Sequence, residues 1–480
     1  MKAVKLAGLM PESVFYYFEQ ICGIPHGSGN TKMISDYLVS FAREQGLRYI
    51  QDESNNVILF ADGTAGYEDH APVILQGHMD MVCEQDVDCT LDMQTQGLDI
   101  DHDGEYVFAR GTTLGGDNGI AVAYALALLA DKSIPHPPLE VVITVDEEIG
   151  MLGAAVIDLT ELKGRTLINM DSEEEGIFTV SCAGGATATV TVPLQRRTVY
   201  GPCIRLRVDG LQGGHSGVEI HKNRANANKI MGLLLQRATQ VMPLCLTAFS
   251  GGAKDNAIPR SCSATLVMMG VEAERLNVIC EELQTEIRDN FDEPDAVVYG
   301  ENVDALGGNA LSTENTAKVA ALLCAAPNGV QKMSADIDGL VQTSLNLGIA
   351  KLAEEFTMTF SVRSSVNGEK LELLDKLKDL AAFYNGKYSQ MGDYPAWEYR
   401  KDSPLREKMV DIYRKMFAAE PQVVAIHAGL ECGMLADKLP GLDCVSIGPE
   451  MHDIHTSRER LGIESVKRTW KFLQEILKVL

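Results

Sequence analysis

The sequence predicts an α/β fold in which a mixed central sheet is flanked by helices and the chain is interrupted by an inserted α+β segment. Three observations carry this expectation. From residue 11 to about 183, helical periodicity alternates with short apolar strand-like runs, the pattern of a sheet with helices on its faces. From about Ile204 to Val303 the order becomes strand, helix, strand, strand, helix, strand, and a second, rougher version follows. From about Asp402 the α/β style returns. The expected division is therefore 1–184 and 401–480 for the two parts of one domain, and 185–400 for an insertion of two tandem α+β units.

Pro11-Glu12-Ser13 leads into a helix with apolar positions at helical spacing from Phe15 to Ile21. Thr31 to Gln45 reads as a second amphipathic helix, with Ser28 or Asn30 as its cap. Asn56 to Ala61, Val73 to Gln76, Leu139 to Thr144 and Arg165 to Met170 read as strands. Gly119 to Leu129, rich in Ala and Leu, is a helix entered directly from a glycine turn. In the insertion, Asn315 to Ala325 and Lys370 to Tyr384 are helical, while Val341 to Lys351, Glu355 to Ser364 and Lys387 to Gly392 are strand-like. The last segment supplies a helix at Arg406 to Phe417 and a strand near Val423 to Ile426.

At 480 residues and 45% hydrophobic, the chain buries a large core and divides into two or three domains. A formal net charge of −25 repels nucleic acid and anionic membranes, so neither is an expected partner. Eleven cysteines form an odd set without a C-x-x-C pair and read as reduced thiols, which places the protein in the cytoplasm. The apolar stretch within Met1 to Met10 is too short for a signal peptide, and no run approaches about 18 uninterrupted apolar residues.

Chemistry gathers where strands end. Leu75-Gln76-Gly77-His78-Met79-Asp80 sets an imidazole and a carboxylate two residues apart, on one face if the chain stays extended. Gly115-Gly116-Asp117-Asn118-Gly119 holds Asp117 where glycines let the backbone approach closely, and its Asp117-Asn118 peptide is a candidate for strain. Glu147-Glu148 closes an apolar run; adjacent strand residues point to opposite sides, so only one of the two is expected to bind metal while the other faces the substrate water. Ile168-Asn169-Met170-Asp171 and His452-Asp453-Ile454-His455 complete the set. Together they offer a bridging carboxylate, terminal ligands and a base, the inventory of a two-metal hydrolytic site.

In this order, Gln76-Gly77-His78-Met79-Asp80-Met81-Val82, the Asp117 turn, Asp146-Glu147-Glu148-Ile149-Gly150 and His427-Ala428-Gly429-Leu430-Glu431-Cys432-Gly433 resemble the co-catalytic zinc peptidases, the family of aminoacylases, carboxypeptidase G2 and carnosine-type dipeptidases. The resemblance runs through nearly the whole chain and is strongest to the bacterial branch that cleaves aminoacyl-histidine dipeptides. It implies a zinc-peptidase-type catalytic domain with an inserted lid. His78 and Asp171 would bind one metal, Glu148 and His455 the other, and Asp117 would bridge them. His452 is the rival of His455. Glu147 would be the general base and Asp80 the partner that orients His78. In the insertion, the resemblance gives His215 to the oxyanion, Asn256 to the substrate and Arg363 to a peptide carboxylate. The expected activity is hydrolysis of Xaa-His dipeptides, β-alanyl-histidine included, by water activated at two divalent ions; zinc, cobalt and manganese all suit the ligands. An aminoacylase-type amidohydrolase is the alternative. A homodimer stays open, as does whether the tandem lid lets one chain complete its own site. The glycine turn lacks the spacing of a dinucleotide motif and has no P-loop lysine, which argues against nucleotide binding.

Overall fold

The structure, a computed structural model, describes residues 5–270 and 273–480. The chain forms two units: one holds the part up to Ser181 with Tyr399–Ala425 and Leu430–Leu480, the other Cys182–Glu398 with Ile426–Gly429.

An eight-stranded mixed sheet centres the first unit, in the order Arg48–Gln51, Val57–Ala61, Leu139–Thr144, Val73–His78, Thr166–Asn169, Asp443–Ser446, Ile177–Cys182, Gln422–Ile426. Val73–His78 runs parallel to both of its neighbours and every one of its residues is buried. That explains its near-continuous apolar run, because a parallel strand covered on both faces has no polar side to show. Helix Gly116–Ala130 is apolar all round and buried from Gly119 to Leu129, so it is a core helix and not a surface one. Helix Glu12–Cys22 covers it where Gly119 leaves room for the Phe18 ring. At the other end, Tyr124 stacks on Trp470 with ring centroids 5.8 Å apart and donates its hydroxyl to the Val466 carbonyl at 3.0 Å. Trp470 belongs to the C-terminal helix Ile463–Leu477, whose buried Ile463, Val466, Trp470, Leu473 and Ile476 recur at helical spacing.

The second helix runs over Lys32–Gln45, but neither expected cap serves it. Thr31 is its N-cap residue, without a side-chain cap bond, and the Ser28 hydroxyl donates instead to Asp80 Oδ2 at 2.8 Å. Here the hydroxyl serves as donor to a carboxylate, a charge-assisted bond, where a cap would have used its oxygen as acceptor of a backbone N–H.

In the second unit the two α+β patterns share one nine-stranded antiparallel sheet. Its order is Val297–Val303, Cys203–Asp209, Cys262–Met268, Leu244–Gly251, Val341–Leu352, Phe356–Ser364, Gly184–Val192, Lys387–Tyr394, with Gly329–Met333 pairing against Val341–Leu352. The halves join where Phe249–Gly251 pairs with Ala350–Leu352. Helices Ala227–Val241, Thr313–Ala325 and Asn367–Phe383 press Ile230, Leu234, Val319, Leu323, Leu373 and Leu377 into a single core against this sheet. No helix among the described residues is long and apolar enough to cross a membrane, and all eleven cysteines are free.

Leu75 lies fully buried three residues before His78, so Leu75→Ala should leave a cavity under the strand. We expect a loss of about 3 kcal/mol, read as a lower thermal midpoint for the first unit. An unchanged midpoint would mean that the neighbouring residues collapse into the gap.

Candidate metal centre

Val73–His78, Leu139–Thr144 and Thr166–Asn169 are parallel neighbours, so their C-terminal ends lie along one edge, where open α/β sheets bind ligands. His78 is the last residue of its strand. Glu147 and Glu148 follow the second strand, Asp171 follows the third, and Asp117 stands at the start of the buried helix. His455 arrives from the turn between Met451–His452 and Arg460–Gly462, with φ at +59°.

These side chains converge. His78 Nε2 lies 3.3 Å from Asp117 Oδ1 and 3.4 Å from Asp171 Oδ1. His455 Nε2 lies 3.2 Å from Asp117 Oδ2 and 3.0 Å from Glu148 Oε1. Asp117 therefore turns one oxygen to each imidazole, and each imidazole has a second carboxylate of its own. His78, Asp117 and Glu148 also place ligand atoms within 4.8 Å of one another, a group able to hold a metal ion. His452 lies apart from them, 3.6 Å from Glu450 and against the Tyr106 ring.

Glu147 and Glu148 do not stand on a strand, so the expected strand alternation does not apply to them. The strand ends at Thr144, and the chain turns at Asp146 with φ at +54° before either glutamate. Asp80 fixes that turn: its Oδ1 accepts from the Glu147 N–H at 3.1 Å and its Oδ2 from the Glu148 N–H at 3.4 Å. The same carboxylate lies 3.3 Å from His78 Nδ1, which is also 3.0 Å from the Asp80 carbonyl. Two acceptors at Nδ1 hold a ring proton there, which turns Nε2 toward Asp117 and Asp171.

Three residues without an assigned part in the sequence reading hold the ligands in place. Buried Glu459 accepts four backbone N–H groups: Leu114 at 2.7 Å and Gly115 at 3.0 Å on one oxygen, Gly116 at 2.8 Å and Asp117 at 3.3 Å on the other. Gly115 is needed there, with φ at +68° and a Cβ position only 2.8 Å from Met81 Sδ. Asn118, joined to Asp117 by a cis peptide, accepts from the His78 N–H at 3.2 Å and donates to the Met170 carbonyl at 2.8 Å. Below the strand ends, Glu431 accepts from Gln76 Nε2 at 2.5 Å and Thr144 Oγ1 at 2.6 Å. The HAGLECG motif contains Glu431, but Glu459 sits in an ordinary charged run with no signal.

The donors carry more negative charge than their two imidazoles balance. Burial, with the charges of Asp171, Glu431 and Glu148, outweighs the pull of His78 and pushes Glu147 up to about 9. Burial likewise lifts Asp171 to about 6, with Asp117 and Glu148 adding to it. Hydrogen bonding to Asp117 and Glu148 raises His455 to about 10. Against its burial, bonds from His455 and His78 hold Asp117 well below the usual carboxylate range. Crowded carboxylate oxygens and imidazole nitrogens with surplus negative charge fit divalent cations.

In the second unit, Gly214–His215 pairs with Ala257–Ile258, and the Asn256 carbonyl accepts from the Ser216 N–H at 2.9 Å. His215 and Asn256 are thus neighbours. His215 Nδ1 accepts from the N–H groups of Gly217 at 3.1 Å and Val218 at 3.2 Å, so the neutral ring carries its proton on Nε2. Burial and the charge of Arg363 lower its pKa and keep it neutral. Arg363 Nη1 donates to Tyr394 Oη at 3.2 Å.

Glu459→Gln would turn one acceptor oxygen into an NH2 group facing two backbone N–H donors. We expect divalent-ion affinity to fall at least ten-fold by equilibrium dialysis, from a loss of about 2–3 kcal/mol in loop order. Unchanged affinity would show that the glycine turn keeps its shape unaided.

The profile of Peptidase family M20/M25/M40 matches residues 74–479. The chain is 36% identical over 484 residues to the cytosol non-specific dipeptidase of Escherichia coli (strain K12), covering 99% of each. The structure of an aminoacylhistidine dipeptidase from Vibrio alginolyticus superposes with a TM-score of 0.93 at 35% identity, over 99% of this chain and 98% of that one. An aminopeptidase from Bacillus cereus shares the fold, with a TM-score of 0.57 at 16% identity over 98% of both chains. The chain belongs to peptidase family M20/M25/M40 and is a peptide-bond hydrolase of that family.

Proposed function

We propose that this chain is a cytoplasmic metal-dependent dipeptidase that cleaves Xaa-His dipeptides, β-alanyl-histidine among them. The observation that carries the reading is Asp117, whose two oxygens each face a different imidazole with its own carboxylate. The names of the Escherichia coli and Vibrio alginolyticus relatives support dipeptides as substrates, and the second name supports the histidine. Two ions, zinc or else cobalt or manganese, would be held by His78 and Asp171 on one side and by Glu148 and His455 on the other, with Asp117 shared. Bound there, they supply Lewis acidity and lower the pKa of water.

The chain's own groups do the rest. Glu147 takes the proton of the attacking water and returns it to the leaving amine; burial that favours its protonated form suits the second half of that task. Asp80 orients His78 and, through two backbone bonds, the glutamate turn. His215 donates its Nε2 proton to the oxygen of the scissile carbonyl as charge builds on it. Asn256 and Arg363 hold the substrate.

Glu147→Gln should lower kcat by at least 10³-fold while metal analysis still finds two ions per chain; full turnover would remove Glu147 from the base role. Wild-type protein should be assayed beside it on β-alanyl-histidine, other Xaa-His dipeptides and N-acetyl amino acids. Turnover of the N-acetyl amino acids alone would replace the dipeptidase by an amidohydrolase. A mixture of His215→Ala and Arg363→Ala chains should regain no activity, and recovery would show sites shared between chains.

A further inference from the structure

Residues 426–429 form a four-residue excursion into the second unit, held by Ala183, whose N–H donates to the carbonyls of Ile426 at 3.2 Å and Ala428 at 3.0 Å. The excursion delivers His427, only 6% exposed, with Nε2 at 2.7 Å from Ser344 Oγ. Ser344 stands directly across the sheet from Arg363, so the imidazole and the guanidinium are near neighbours. Gly217 lies among them: a Cβ there would come within 2.6 Å of the His427 carbonyl, 3.0 Å of His215 Cε1 and 3.2 Å of Arg363 Nε.

Among the described residues, His427 Nδ1 and Arg363 Nε are both buried and without a hydrogen-bond partner. Buried donors are rarely left unpaired, and a partly buried guanidinium without a counter-ion is costly. Tyr394 cannot supply the charge, since its hydroxyl only accepts from Nη1; Gly185 is what admits that ring, because a Cβ there would lie 2.5 Å from Tyr394 Oη. A guanidinium N–H, permanently cationic, together with an imidazole N–H from the same corner suits the two oxygens of a carboxylate.

We infer that His427 is a specificity-determining residue that reads the free α-carboxylate of the substrate through Nδ1, alongside Arg363 Nε. This rests on the dipeptidase reading above. Burial, and then the charge of Arg363, hold the imidazole down to about 3, so at neutral pH it carries one proton. The inferred tautomer has the Ser344 hydroxyl donating into Nε2 and the ring proton on Nδ1, facing the anion. A dipeptide offers a free carboxylate for such recognition on its second residue, whereas a longer peptide offers a neutral amide there.

The test compares kcat/KM of the metal-loaded protein on one Xaa-His dipeptide and on the same dipeptide as its C-terminal amide. Wild type should prefer the free acid by at least ten-fold. His427→Ala should lose about 10- to 100-fold on the acid, mostly in KM, and little on the amide, so that the preference collapses. His427→Asn, whose side-chain N–H takes the Nδ1 position, should restore much of it, whereas His427→Gln, which imitates Nε2, should not. Ser344→Ala, a small change that frees the tautomer, should weaken the same preference. Equal losses on acid and amide, an indifferent wild type, or rescue by Gln and not by Asn would each overturn the inference. Wild-type protein that binds metal but cleaves no dipeptide would instead overturn the dipeptidase reading, and the inference with it.

Discussion

The site depends on one buried carboxylate clasped by backbone. Glu459 takes four consecutive N–H groups of the glycine turn. Those donors would otherwise point inward unpaired at the head of a helix already buried on all sides. The clasp joins segments more than 340 residues apart in the chain, and it acts on two of the candidate ligands together. Asp117 is in the clasped turn, and His455 is four residues before the clasping glutamate. The ends of the first unit are therefore closed on each other by a cluster of charge-assisted bonds and not by apolar packing alone.

A second constraint is how the chain tolerates so many acids in one place. Each is given a different task by its donors. Asp80 is saturated by Ser28, two backbone amides and an imidazole, so it stays charged and rigid. Glu431 is saturated on one oxygen only and is pushed up to about 7, chiefly by burial. Glu147 is pushed up to about 9, chiefly by burial. Environment, and not residue type, sets these carboxyl groups apart.

Much of this was legible in the sequence because it follows from local pattern. The apolar runs at Val73 and Leu139 read as buried strands since parallel central strands have no polar face, and the glycine turn announced the helix after it. What was not legible was set by partners distant in the chain. Nothing near Ser28 distinguishes a helix cap from a brace on Asp80, and nothing near Glu459 reveals four amides waiting far upstream. The two α+β patterns of the insertion were visible, yet their union into one sheet hangs on three residue pairs, Phe249–Gly251 with Ala350–Leu352, too few to mark either strand. The strand alternation expected of Glu147 and Glu148 does not apply to them: the strand ends at Thr144, and a positive φ at Asp146 turns the chain.

The excursion at 426–429 has a topological consequence. The chain passes between its two units at four places, after Ser181, Glu398, Ala425 and Gly429, so the second unit is not one continuous stretch of polypeptide. A segment cut from 182 to 398 would carry Arg363 and His215 but leave His427 behind, and a ribosome finishes His427 long after the residues it serves. The carboxylate-reading corner is complete only once the first unit has nearly been synthesised, which ties the two units into one product of translation.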